Sequence, residues 1–297
     1  MTATLQGPFL VSGASGQLGR LVLDRLLDHG AQPIIATTRS PEKLSAYAER
    51  GVEVRRADFN DADSLKDAFA GARRMLLIST SDLEPGMRLK SHLVAIDAAV
   101  AAGVEHIVYT SLTNPRADSP ITFAGDHKGT EERLAASGVN HTILRNNLYA
   151  DLLLMSGPPA VGMGKLFAAA VDGKVGYVAK ADCAAAAAAA LLQEGTSATY
   201  DITGPELLGM QDVAALLSAL TGKTIPYIPI SVSDLEGAMV GNGLPAPLAK
   251  LLASIDEGIA VGHLAVASTA VYDLTGSHPT SVKDFLRANV AALTDGQ

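Results

Sequence analysis

The sequence predicts an α/β protein: a Rossmann-type, doubly wound parallel sheet with a smaller C-terminal region that caps it. Three observations carry this. Apolar runs of strand length alternate with amphipathic stretches of helix length as far as Arg145. A glycine-rich turn joins the first strand to the first helix. Aromatic residues make up only 4% of the chain, with no Trp, beside 28 Gly. A β-sandwich favours aromatic and β-branched residues; small residues suit helices packed closely on a sheet.

The elements follow in order. Pro8–Ser12 reads as the first strand, and Gln17 to Leu27 as the helix behind the glycine turn. Pro33–Thr38 is the second strand, and Pro41–Glu49 a helix with proline near its first position. Val52–Arg56 is the third strand, and Asp61–Phe69 a short helix with acidic residues in its first turn. Met75–Ser79 is a fourth, buried strand, and Met87–Ala102 a long helix ended by Gly103. His106–Ser111 is the fifth strand, Asp126–Ser137 a helix ended by Gly138, and His141–Arg145 the sixth strand. Right-handed crossovers then predict the strand order 3-2-1-4-5-6.

Beyond Arg145 the pattern loosens. Gly157–Gly164, rich in Gly and Pro, is expected to be a loop or lid. Val175–Val178 and Ala198–Ile202 read as short strands with an Ala-rich helix between them. Gln211–Leu220, Val232–Val240 and Pro247–Gly258 read as helices. The expected organisation is a nucleotide-binding domain over 1–150 and a capping region over 151–297. About 175–205 of the latter interleaves with the sheet.

Composition excludes several classes. The 297 residues carry a net charge of −8, and 48% are hydrophobic. That is too apolar for a disordered chain. The mean hydropathy of +0.22 is high, yet no run of 18 apolar residues is present and Pro158–Pro159 interrupts 152–163. The first residues lack the basic start and apolar core of a leader. A cytoplasmic protein, with no membrane partner, is therefore expected. A single Cys183 excludes an internal disulfide and a cysteine metal cluster, and no histidine spacing suggests a metal site. The acidic balance argues against nucleic acid as a partner.

The chemistry-bearing motif is Gly13, Gly16 and Gly19, spaced G-x-x-G-x-x-G between strand and helix. Gly13 permits the sharp turn, Gly16 allows close approach of a pyrophosphate, and Gly19 lets helix lie on strand. Ser15, Gln17 and Leu18 belong to the same predicted phosphate site. The end of the second strand reads Thr37-Thr38-Arg39-Ser40-Pro41-Glu42-Lys43. No carboxylate stands at the strand tip to take the ribose hydroxyls of NAD, whereas Arg39 offers a fork to a 2′-phosphate and Lys43 a second charge. The predicted cofactor is NADPH. Asp58 and Phe59 suit the adenine end, and Ser79, Thr80 and Ser81 the ribose and nicotinamide end. Tyr109, Thr110 and Ser111 end the fifth strand at the same edge; Thr110 is assigned to cofactor and Ser111 to substrate.

GASGQLGR at 13–20, YTSL at 109–112, DHKGTEERLAASGV at 126–139 and LRNNLYADLL at 144–153 occur in register. Together with GSHPT at 276–280, they resemble the NmrA-like atypical short-chain dehydrogenase/reductase family. The resemblance is strongest to its branch of NADPH-dependent quinone and triphenylmethane dye reductases. Short-chain dehydrogenases normally carry Y-x-x-x-K. None of the seven tyrosines here has Lys four residues on; Tyr177 has Lys180 three on. The resemblance implies that His127 fills a slot where other members carry Lys, touching the nicotinamide ribose or a substrate oxygen. An ordinary histidine there suits proton donation near neutrality. On its residues alone, His127 equally packs or caps a helix start. Glu131 shares its helix face at i+4, either orienting His127 or forming, with Glu132, an exposed acidic face. Lys128 is read as solvated. The resemblance also places Asn147 at the nicotinamide, where Asn146-Asn147 otherwise reads as a turn pair. Tyr149 is expected to line or cover the substrate cleft.

The implied activity is NADPH-dependent hydride transfer to a quinone or similar small conjugated acceptor, in a possible homodimer. Two readings stay open beside it: a non-catalytic NADP(H)-sensing regulator, and a reductase of dyes, imines or enones.

Overall fold

The computed structural model describes residues 7–294. The first six positions, on which the leader expectation bears, and the last three lie outside the described residues. In chain order the main elements are β1 (Phe9–Val11), α1 (Gln17–Asp28), β2 (Ile34–Thr38), α2 (Ser45–Ala48), β3 (Glu53–Arg56), α3 (Ala62–Phe69), β4 (Arg74–Leu77), α4 (Met87–Ala101), β5 (His106–Leu112), α5 (Ala124–Ala136) and β6 (Asn140–Asn146). There follow α6 (Leu153–Met163), β7 (Leu166–Ala168), β8 (Lys174–Val175), α7 (Lys180–Leu192), β9 (Ala198–Ile202), β10 (Leu208–Gly209), α8 (Met210–Thr221), β11 (Tyr227–Pro229), α9 (Val232–Gly241), α10 (Ala246–Ala260), α11 (Ala270–Thr275), α12 (Val282–Ala288) and α13 (Val290–Thr294).

The chain divides into two compact units. The first takes the chain to Leu112, with Asp126–Arg145 and Cys183–Tyr200; the second takes Thr113–Gly125, Asn146–Asp182 and the chain from Asp201. The central sheet has the order β3-β2-β1-β4-β5-β6-β9. The first six strands stand in the predicted order, and β9 adds a seventh. The ladders of β1 with β2 and β4, of β2 with β3 and of β4 with β5 are parallel. The order reverses beside β1, so a crevice opens at the carboxyl ends of β1 and β4.

In the first unit, local pattern explains most elements. All of β1 is buried, and α1 buries Leu18, Gly19, Val22, Leu23 and Leu26, a stripe at helical spacing. Asp61 caps α3 by accepting the Ser64 N–H. Gly103 ends α4 at φ +79°. Tyr109 and Phe69 are the two aromatics wholly buried in a core of Leu10, Ile35, Met75, Ile96 and Leu134. The alanine stretch of α7 is buried at Ala184, Ala186, Ala187, Ala188 and Ala190. Arg74 of β4 closes this helix's far end, donating to the carbonyls of Leu191 (2.7 Å) and Gln193 (2.5 Å).

Pro41–Glu49 is not one helix. Pro41–Leu44 forms a 3₁₀ turn before the single turn of α2. The Lys43 carbonyl is taken by Arg20 Nη2 at 2.7 Å. The fourth strand also stops at Leu77, releasing Ile78 and Ser79 into the segment beyond it.

In the second unit, the Gly157–Gly164 loop expectation is overturned. Leu153–Met163 is helix α6, with Pro158 and Pro159 inside it. Proline removes amide donors there, but Leu153, Gly157, Ala160 and Val161 are buried. A Cβ on Gly157 would stand 2.6 Å from Leu293 of α13, so packing holds a helix that the prolines weaken. The expected strand Val175–Val178 shrinks to β8, with an isolated bridge from Tyr149 to Val178. β10 pairs antiparallel with β8, and β11 parallel with β7. Among the described residues, no helix is long and apolar enough to cross a membrane.

Candidate functional site

The first unit contains a groove of about 300 Å³ at the carboxyl ends of β1, β2, β3 and β4. Its walls include Gly13, Ser15 and Gly16 after β1; Thr37, Thr38 and Arg39 at the end of β2; Asp58, Phe59 and Asn60 after β3; and Ser79 to Asp82 after β4. The predicted positions Gly13, Ser15, Gly16, Arg39, Asp58, Phe59, Ser79, Thr80 and Ser81 are thus brought together. Gln17, Leu18, Gly19, Lys43 and Thr110 are not among the groove's walls.

The glycine turn has a steric logic. Gly13 adopts φ +61°, in the left-handed region that favours glycine. A Cβ on Gly19 would lie 2.6 Å from the Gly13 carbonyl oxygen, so any side chain there pushes the turn away from the helix. The Gly16 N–H closes the turn on the Gly13 carbonyl at 3.0 Å. Gly16 is the N-cap of α1 and no side chain caps it, which leaves the positive end of that helix for an anion. Leu18 is buried and anchors the helix.

Beside the turn, the Ser15 and Thr38 hydroxyls bond at 2.7 Å, and Thr38 Oγ1 also accepts the Ser40 N–H. Arg20 Nε donates to the Ser15 carbonyl at 3.0 Å, so one guanidinium ties the phosphate turn to the Lys43 turn. Arg39 and Lys43 keep exposed side chains. Asp58 Oδ1 accepts the Asn60 N–H at 3.0 Å, shaping the end of β3. Thr110 Oγ1 accepts the Ser79 N–H at 2.9 Å, placing Thr110 behind the wall rather than in it.

Among the described residues, the buried hydroxyls of three groove residues, Thr37, Thr80 and Ser91, meet no protein partner. Buried polar atoms are normally paired. Unpaired hydroxyls lining a polar groove fit a ligand rich in oxygen and nitrogen.

Deeper in the first unit lies a network that sequence inspection missed. The Thr80 N–H donates to His92 Nε2 at 3.0 Å, and His92 Nδ1 meets Thr130 Oγ1 at 2.9 Å. The Tyr109 hydroxyl stands 2.7 Å from His127 Nδ1 and 3.3 Å from His92 Nδ1. Arg88 donates to the carbonyls of Thr80 and Asp82, holding the same groove segment. His92, Tyr109, His127 and Thr130 are all buried. The available signal was modest: Arg88, Ser91 and His92 share the face of α4 that buries Ala95, Ile96 and Ala99.

This burial corrects the expectation for His127. Burial first, then Arg88 and His92, push its pKa well below the ordinary histidine value. It is a neutral imidazole at neutral pH, not a group titrating there. Burial and Arg88 push His92 down to about 3. Burial pushes the Tyr109 phenol far up. The exposed acidic face also fails at Glu131, whose carboxylate accepts from Ser111 Oγ at 2.6 Å and from Arg145 at 3.0 and 2.7 Å. The Ser111 hydroxyl is committed to that pair. Glu132 is exposed and pairs with Lys128 on the next turn of α5.

In the second unit, Asn147 is buried and its amide is spent on backbone. Nδ2 donates to the carbonyls of Leu264 (3.0 Å) and Val266 (3.4 Å), while Oδ1 accepts the Leu148 N–H at 2.8 Å. Those bonds make it an anchor of the 264–266 segment. Tyr149 accepts from Asn146 Nδ2 at 3.1 Å, and the Lys180 ammonium lies 5.4 Å from its ring centroid.

A parallel sheet with a glycine turn at its reversal point and an unpaired polar groove beside it defines a Rossmann-type α/β protein. Within that class the chain belongs to the NmrA-like family, whose model matches residues 7–260. It is 39% identical over 273 residues to quinone oxidoreductase 2 of Escherichia coli, covering 91% of this chain and 94% of that one. The crystal structure of an E. coli NADPH-dependent quinone oxidoreductase complexed with NADPH superposes with a TM-score of 0.90 at 37% identity, covering 95% of this chain and 99% of the other. The NADP(H) complex of Citrobacter triphenylmethane reductase superposes at 0.88 and 34% identity, over 94% and 99%.

Proposed function

We propose that this chain is an NADPH-dependent reductase that delivers hydride to a quinone or a similarly conjugated small acceptor. The observation that carries the reading is the groove, with its uncapped helix start at Gly16, its three unpaired hydroxyls and Arg39 at its edge. In this reading the Gly13–Gly19 turn takes the pyrophosphate at the start of α1. Arg39 takes the 2′-phosphate with Lys43 beside it. Asp58 and Phe59 hold the adenine end, and Ser79, Thr80 and Ser81 the ribose leading to the nicotinamide. When bound, NADPH supplies the hydride.

The similarity to quinone and dye reductases supports the acceptor class. So does the missing Y-x-x-x-K pair. A ketone needs a strong acid at its oxygen, whereas a quinone spreads incoming charge over ring and oxygens. A protein without a Tyr–Lys acid then acts mainly by orientation and exclusion of water. Tyr149 is the aromatic offered to a planar acceptor.

The test follows loss of the NADPH absorbance band with a panel of quinones, triphenylmethane dyes and enones. Saturable, protein-dependent oxidation with quinones as the fastest acceptors is expected. Tight NADPH binding with no turnover on any acceptor would overturn the reading in favour of a nucleotide sensor.

A further inference from the structure

We propose that Tyr109 is a positioning residue that holds His127 as a neutral imidazole with its proton on Nε2. The assignment follows from counting donors through the buried network. The Thr80 amide must donate to His92 Nε2, so that nitrogen is a bare acceptor and the His92 proton sits on Nδ1. From there it points to Thr130 Oγ1 at 2.9 Å, with the Tyr109 oxygen at 3.3 Å on the same side. Thr130 spends its own proton on the Asp126 carbonyl at 2.7 Å. It therefore accepts from His92 and has no proton left to give. The Tyr109 oxygen also neighbours the Thr130 hydroxyl and the His92 donor, and its shortest contact, 2.7 Å, is to His127 Nδ1, so the hydroxyl proton is assigned to that bond. Nδ1 of His127 is an acceptor, and a neutral ring then carries its proton on Nε2.

The charges around the network agree with neutral rings. The Arg88 guanidinium acts on His92, His127 and Tyr109, with Asp126 and Glu131 also acting on the phenol. An imidazolium at either histidine would add a second buried cation beside Arg88. The chain of bonds also starts at the groove: Thr80 lines it, and its backbone amide sets the first tautomer. A shift of the Thr80 backbone would thus be felt at His127 through His92 and Tyr109.

The catalytic consequence rests on the reductase reading. There, fixing the tautomer fixes which nitrogen of His127 carries the donor while charge develops on the acceptor. Tyr109 acts only through His127 and touches neither cofactor nor acceptor. Loss of its hydroxyl frees His127 to exchange tautomers, which lowers kcat and leaves NADPH affinity alone.

The experiment uses the full chain labelled with ¹⁵N-histidine. Imidazole ¹⁵N shifts at pH 7 separate the two neutral tautomers from imidazolium. The expected wild-type spectrum shows His127 protonated on Nε2 and His92 on Nδ1, and Tyr109→Phe mixes the His127 tautomers. Imidazolium or Nδ1–H at His127 in the wild type overturns the proposal, as does an unchanged His127 pattern in Tyr109→Phe. Should that variant not fold, the wild-type spectrum decides alone. Kinetics on the same proteins give a second reading: kcat of Tyr109→Phe falls on the order of tenfold at unchanged NADPH Kd. In a His127→Ala background the same change costs nothing further; an additive loss overturns the positioning role. The two readings fail separately. Expected tautomers without any turnover sink the reductase and leave the positioning intact.

Discussion

The groove of the first unit and the Asn147 anchor of the second treat buried polar atoms in opposite ways. At Asn147 every polar atom of the side chain has a partner in the protein, two of them backbone carbonyls. In the groove the hydroxyls of Thr37, Thr80 and Ser91 have none. A satisfied buried amide contributes to holding the fold. An unsatisfied hydroxyl costs stability until it finds a hydrogen-bond partner, which a bound ligand can supply. Removing polarity should therefore hurt different properties in the two regions.

The largest effect is expected at Gly19. Gly19→Val drives a side chain into the Gly13 carbonyl, costs about 1–3 kcal/mol by overpacking and displaces the phosphate turn. Fluorescence titration should show NADPH affinity reduced on the order of a hundredfold. Retained affinity would show that the turn is not where the cofactor's phosphates sit.

Arg39→Ala comes next. Losing a charge-assisted bond of about 1.5–3 kcal/mol should lower NADPH affinity by one to two decades and leave NADH affinity nearly unchanged. An unaltered NADPH/NADH ratio would remove Arg39 from the 2′-phosphate.

Asn147→Ala leaves the Leu264 and Val266 carbonyls without their donor. A loss of about 1–3 kcal/mol should appear as a melting temperature several degrees lower, with NADPH affinity intact. Thr37→Val is the mirror case: melting temperature unchanged or raised, and NADPH affinity down about two- to tenfold. If these two variants exchanged phenotypes, the contrast between the regions would be lost.

Acid sensitivity is a separate effect, on stability alone. The folded state binds a proton at His92 only near pH 3, whereas the unfolded chain binds it near the ordinary 6.5. Between those values the unfolded state holds more protons, so stability falls as pH drops through that window and is full above it. His106, lowered to about 4 by burial and then by Arg74 and His141, adds in the same direction. Each contributes at most about 1.4 kcal/mol per pH unit. Melting curves from pH 7 to 4.5 should fall more steeply for the wild type than for His92→Gln.

Most of the first unit was legible in sequence. Strand-length runs alternating with helical stretches placed six strands to within two residues, and glycine spacing found the turn. Pro158 and Pro159 misled because proline is read through its missing amide, while the contact of Gly157 with Leu293 that keeps α6 helical joins distant segments. Glu131 misled for a related reason. Its position on α5 is that of a surface acid, but Ser111 and Arg145 reach it from β5 and β6. His92 carried almost no signal, since its partners Thr80, Tyr109 and Thr130 come from three other segments.

By itself the sequence determined what depends on near neighbours: the periods of strand and helix, the steric need for glycine in the turn, and a cation instead of a carboxylate after β2. Tertiary structure alone decided which polar atoms meet, as between Asn147 and Leu264, 117 residues apart. It also decided which histidines stay neutral. Desolvation and distant charges set that protonation, and neither is written in the spacing of residues along the chain.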